Sequence, residues 1–125
     1  MAALPEVVRE AWTNREGPVV LATVDADGVP NAIYATCVGT FGDDRLVVAD
    51  NYFDKTQRNI LGGCQGALLF ITKDGKAYQA KGTVEYHRVG EVFESMKSWN
   101  PPKHPGHAAA SLRVEEVYSG ATKLV

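Results

Sequence analysis

At 125 residues the chain is long enough to bury one core and too short to carry a second catalytic domain. Its 45% hydrophobic and 22% charged residues match globular averages, which excludes extended disorder and fibrous repeats. Thirteen Lys and Arg balance 15 Asp and Glu without a basic cluster, so nucleic acid is not an expected partner.

Leu4, Val7, Val8, Ala11 and Trp12 recur at helical spacing, with Glu6, Arg9 and Glu10 opposite, so residues 4 to 12 are expected to form a short amphipathic helix. This opening lacks the unbroken apolar stretch of a signal peptide, and no segment approaches a membrane span. Gly17-Pro18 ends the helix. Val19 to Val24 then reads as a strand buried on both faces. Tight turns at Asp25 to Gly28 and Gly42 to Asp44 separate it from a second strand, Asn31 to Phe41, and a third, Arg45 to Ala49. Asp54 as N-cap, with Gln57 three residues on, predicts a helix over 54 to 61. Ala67 to Thr72 is a fourth strand. In the fifth, Tyr78, Ala80, Gly82, Val84 and Tyr86 share one face and Gln79, Lys81, Thr83 and Glu85 the other. Val89, Val92, Phe93, Met96 and Trp99 mark a third amphipathic helix, and after the proline-rich loop 100 to 106 a sixth strand follows over Ala108 to Tyr118. Six short strands with three short helices suit a small barrel better than a parallel sheet alternating with long helices.

The segment from Leu46 to Asn59 runs from a strand end into a helix start. The first amides of a helix lack intrahelical acceptors and lie at the positive end of its dipole, so an anion placed there gains hydrogen bonds and charge compensation. Lys55 can add a full charge, Thr56 a hydroxyl, and Asn59 an amide one turn on. The same residues equally suit a capped surface helix whose Lys55 and Arg58 are simply solvated.

At this segment the sequence resembles the FMN-binding split-barrel family related to pyridoxamine 5'-phosphate oxidase, especially its short single-domain members. The resemblance spans nearly the whole chain. It rests on the order of helices and strands, on Asp50-Asn51-Tyr52-Phe53-Asp54-Lys55-Thr56, and on the ending Val114-Glu115-Glu116-Val117-Tyr118. It implies one domain over residues 1 to 125 and a six-stranded antiparallel split β-barrel of Greek-key type with three flanking helices. It also implies a homodimer with FMN at the subunit interface, phosphate on Lys55 and Thr56, and the flavin ring against the second and third strands. By position those strands contribute Ala32 and Tyr34, then Ala49, Asp50 and Asn51; Asn59 is a looser transfer. The arginine-rich substrate segments and extended C-terminal section of the larger oxidases are missing, so oxidation of vitamin B6 is not expected. Small residues at Ala32, Ala35 and Ala49 would let backbone approach a flat ring, or would serve ordinary strand packing.

The expected activity is that of an FMN oxidoreductase or electron-transfer protein whose donor and acceptor the sequence does not name. Alternatives are a deazaflavin or haem in the same barrel, or a non-enzymatic dimeric flavin-binding module. Haem would call on His104 or His107 as axial ligand. Those histidines otherwise read as exposed loop residues, no metal site being expected, and Trp99 as core rather than a cover for the flavin. Cys37 and Cys64 have neither redox nor metal spacing and read as buried free thiols of a cytoplasmic protein.

Overall fold

The computed structural model describes residues 3–125, among which lie eight strands and three helices. Helix α1 (Glu6–Thr13) buries Val8, Ala11 and Trp12, while Val7 of the same predicted stripe is half exposed. Strands β1 (Val19–Val24) and β2 (Pro30–Ala35) form a hairpin. The Asp25 carboxylate sets its turn by accepting the Asp27 and Val29 N–H groups. There follow β3 (Val38–Phe41), β4 (Arg45–Asp50), α2 (Lys55–Leu61), β5 (Gln65–Ile71), β6 (Ala77–His87), α3 (Glu91–Trp99), β7 (Ala108–Ser119) and β8 (Thr122–Lys123).

All pairings are antiparallel, in the spatial order β2-β1-β5-β6-β7-β4-β3, with β8 on β7. The two ends of that order, β2 and β3, are joined by only Thr36 and Cys37, so the sheet must curl until its edges approach each other. The result is the expected mainly β split barrel, with eight strands rather than six. The single strand predicted over Asn31 to Phe41 is broken because its first half pairs with β1 and its second with β4. No straight strand serves both ladders. The short β8 is the chain folding back on the end of β7.

Leu21, Leu46, Leu68, Ala80, Val84 and Leu112 fill the barrel, closed by Val8 and Trp12 of α1 and Ile60 of α2. The Trp12 ring meets Phe70 edge-on, 5.1 Å between centroids, and Phe70 stacks on Tyr78. A second, smaller cluster lies under α3, where Val92 and Met96 cover Val47, Ala49 and Ala109. Trp99 packs at its rim so close to β3 that a Cβ on Gly39 would stand 2.8 Å from the indole. Trp99 is thus part of this cluster, as the apolar stripe predicts; Val89 lies outside the helix and is exposed.

Alternation in β6 is as read: Tyr78, Ala80, Gly82 and Val84 are buried, and Gln79, Lys81, Thr83 and Glu85 face outward. Strand β1 differs from expectation, burying only Val19, Leu21 and Thr23. Val20, Ala22 and Val24 lie on an outer face that nothing in the single chain covers, beside exposed Tyr34, Leu69 and Ile71. Among the described residues no helix is long and apolar enough to cross a membrane.

The two longest strands bend at one point. Pairing passes from Lys81 with Glu116 to Gly82 with Val114, leaving Glu115 as the extra residue of a bulge. A Cβ at position 82 would meet the Arg113 carbonyl oxygen at 1.9 Å. Gly82→Ala is therefore expected to lower stability by at least about 2 kcal/mol, read as a reduced urea midpoint with an unchanged slope. A variant as stable as the parent would show that the bulge does not need this glycine.

Candidate functional site

Strand β4 delivers Asp50 and Asn51 to a corner where the chain leaves the sheet for α2. Asp50 is 1% exposed, and its carboxylate accepts the Phe53 N–H at 3.0 Å and the Tyr86 hydroxyl. Gln57 of α2 donates to the same Tyr86 oxygen at 3.0 Å. Burial, reinforced by the Asp50 hydrogen bond, raises the Tyr86 phenol above its ordinary pKa, keeping it a donor. Asn51 and Asn100 exchange side-chain amide hydrogen bonds of 3.0 and 2.9 Å, and Asn51 Oδ1 also accepts the Gly106 N–H at 2.9 Å. The His107 N–H donates to the Asp50 carbonyl. The proline-rich loop is thereby fixed across the corner. Lys97 Nζ adds a bond to the Pro105 carbonyl.

Beside this corner lies an open groove of about 330 Å³, lined by Tyr34 of β2, Cys37, Ala49 of β4, Asn51, Tyr52 and His104, among others. The rings of Tyr34 (79% exposed) and Tyr52 (74% exposed) stand at its rim. Tyr52 packs edge-on against His104, and its hydroxyl lies 3.1 Å from His104 Nδ1. Both cysteines are half-buried rather than buried, and Cys37 opens onto the groove.

Helix α2 begins next to the groove. Asp54 does not cap it; its carboxylate instead pairs with Arg58 at 2.7 Å, one turn on, and Gln57 is drawn to Tyr86. The expected capping box is not formed, so no side-chain acceptor covers the first amides of the helix. Lys55 is exposed and makes no ion pair among the described residues. Thr56 and Asn59 point inward. Thr56 Oγ1 accepts from Asn31 Nδ2 at 2.9 Å, and Asn59 Nδ2 donates to Thr23 at 3.0 Å, a buried network that seats α2 on β1 and β2.

The eight residues singled out from the sequence thus fall into three groups. Tyr34, Ala49 and Asn51 line the groove, with Ala32 exposed two residues before Tyr34 on the same face of β2. Lys55 stands free at the helix start. Asp50, Thr56 and Asn59 are structural donors and acceptors inside the corner. Sequence reasoning does not pick out Tyr52 and Phe53 as groove residues, although both lie within the motif that marks the site, and it reaches His104 only as an axial ligand in the haem alternative. His104 reaches it only because the Asn51 to Asn100 clamp places the loop, a contact that spans 49 positions and leaves no local pattern. His87 Nε2 lies 2.8 Å from Ser111 Oγ, but Ser111 is fully buried, which leaves a nucleophile there no substrate access. Among the described residues no three His, Cys, Asp or Glu side chains gather as metal ligands would.

A family model described as Pyridoxamine 5'-phosphate oxidase matches residues 4–120. An uncharacterized protein of Methanocaldococcus jannaschii is 32% identical over 107 residues, 81% of this chain and 71% of that protein. HupZ of Group A Streptococcus superposes with a TM-score of 0.79 at 23% identity, covering 93% of each chain. An FMN-binding protein of Syntrophomonas wolfei superposes at 0.74 and 21% identity, covering 91% of this chain and 84% of the other. The fold recurs in an F420 reductase and in a haem-binding protein of Mycobacterium smegmatis, both at 19% identity.

Removing one amide of the clamp leaves its partner buried without a hydrogen bond, which costs about 1–3 kcal/mol. Asn51→Ala is accordingly expected to lower the unfolding free energy by about 2 kcal/mol and to speed hydrogen exchange at the Gly106 amide. Unaltered exchange there would remove the clamp.

Proposed function

The chain belongs to the pyridoxamine 5'-phosphate oxidase family, and from that premise we propose that it is a dimeric FMN-binding flavoprotein acting as an oxidoreductase or electron carrier. The observation that carries this reading is the uncapped start of α2, with unpaired Lys55 at its edge, beside a groove rimmed by exposed aromatic rings. A flat, anionic cofactor needs both features. When bound, FMN supplies the hydride or single-electron chemistry, and the chain contributes binding and orientation.

Lys55 holds the phosphate as a point charge. Thr56 and Asn59 act one step behind it, fixing the helix through Asn31 and Thr23. Ala32 and Ala49, without bulk beyond Cβ, leave room for a ring between β2 and β4, and Tyr34 and Tyr52 shield its edges. Cys37 opens onto the groove as a half-buried free thiol. The larger family members' arginine-rich substrate segments have no counterpart, which argues against vitamin B6 turnover.

The outer face of β2, β1 and β5 supports the dimer. Tyr34, Leu69 and Ile71 are 79%, 42% and 46% exposed there, next to half-buried Val20, Ala22 and Val24. A continuous apolar sheet face of this kind is covered in stable proteins. A second copy would bury it and wall the open side of the groove together.

The cation count favours FMN over a deazaflavin. The long acidic tail of a deazaflavin asks for several cations, whereas Arg58 is already paired with Asp54 and leaves Lys55 alone. Haem would call on His104 through Nε2, which the Tyr52 hydroxyl on Nδ1 leaves free, so that alternative is separated from FMN by the absorbance spectrum of the bound group.

The purified protein is expected to be yellow with bound flavin and to run as a dimer. A colourless protein that fails to bind added FMN at about micromolar concentration overturns the proposal. Lys55→Ala removes one charge-assisted hydrogen bond, so FMN affinity should fall about tenfold to a hundredfold with the far-ultraviolet spectrum unchanged. Equal affinity would take the phosphate away from Lys55.

A further inference from the structure

A second cavity, of about 430 Å³, lies away from the groove, between α1 and the β3–β4 hairpin. Two arginine side chains line it, Arg9 on α1 and Arg15 just beyond it; Arg45 at the start of β4 borders it, but its guanidinium lies over Phe41 on the opposite face of the hairpin from Leu46. Leu4, Trp12 and Leu46 form its apolar wall. Asp43 is the one carboxylate in the lining; Glu6 and Glu10 flank Arg9 on the adjoining face of α1.

Arg15 is the informative residue. Its guanidinium lies 4.3 Å over the Trp12 ring and donates one Nη1 hydrogen bond of 2.8 Å to the Trp12 carbonyl. It makes no ion pair among the described residues, and burial lowers its pKa. A half-buried charge is ordinarily paired. Arg9 too makes no ion pair among the described residues. The cavity therefore presents cationic donors in excess of the carboxylates facing them, beside an aromatic and aliphatic wall.

We propose that this cavity binds a small organic anion, a carboxylate or phosphate monoester borne on a flat apolar body. Guanidinium forks match the paired oxygens of either head group, and the exposed edges of Leu4 and Trp12 receive the body. The volume lies within the range of small-molecule sites. The site is separate from the flavin groove: along β3 and its approach, Cys37 opens onto the groove, while Gly39 and Thr40 line the cavity.

The test is calorimetric titration of the full chain, with and without saturating FMN, using benzoate, phenyl phosphate and neutral benzyl alcohol. At least one anion should bind saturably with Kd of about 1 mM or tighter, and benzyl alcohol should not. Arg15→Gln and, independently, Arg9→Gln should each weaken that anion tenfold or more, whereas Lys55→Ala should leave it unchanged. Arg9 is exposed and outside the ladder, so its variant keeps the test decisive should Arg15→Gln fail to fold. Absence of saturable anion binding, equal binding of benzyl alcohol, competition by FMN, or loss in Lys55→Ala but in neither arginine variant would each overturn the proposal. FMN binding is scored in a separate titration, so failure of the flavin reading does not decide this one.

Discussion

A buried carboxylate without a cationic partner organises this protein. Asp50 ends β4 at 1% exposure, and its two oxygens are satisfied by the Phe53 amide and the Tyr86 hydroxyl. Leaving either unmade would strand charge in a low-dielectric interior, so the turn into α2 and the position of β6 are fixed together. The backbone carbonyl of the same residue takes the His107 N–H, and the neighbouring Asn51 takes Asn100 and Gly106. Two consecutive residues therefore bind a strand end, the approach to a helix, the end of β6 two strands away and a distant loop. The groove exists because those four pieces cannot move independently.

Much of this was legible locally and the rest was not, for reasons that can be traced to single residues. Period-two alternation gave the inner face of β6 without error, since each residue's side is set by backbone geometry alone. The break at Thr36 and Cys37 leaves no local mark because neither residue is a turn former; what divides the segment is a change of pairing partner. Asp54 reads as an N-cap from composition, yet Arg58 one turn on competes for its carboxylate and wins at 2.7 Å. Val20 and Val24 suggested a strand buried on both sides, and the single chain leaves their face uncovered.

That last departure bears on function. A strand apolar on both faces but half-exposed on one signals burial by something outside the chain. The same face holds Tyr34 and Ala32, which sequence reasoning had assigned to the cofactor. In the proposed reading, subunit contact and cofactor contact draw on one surface, which makes their joint presence more economical than either alone. Family membership gives this juxtaposition a chemical meaning that exposure and shape do not supply.

The anion signal at Lys55 and the one at Arg15 differ in kind. At Lys55 it comes from backbone amides and a solvated ammonium, features that many short helices share, and it gains force from the groove and from the family. At Arg15 it comes from a half-buried guanidinium that makes no ion pair among the described residues, and no resemblance enters the argument. The short strand β3 and its approach run from one site to the other, pinned on its outer side by Trp99 against Gly39. With the indole in contact, β3 has little freedom to shift at either end without disturbing α3. Whatever occupies the two sites, they share a wall that is packed rather than loose.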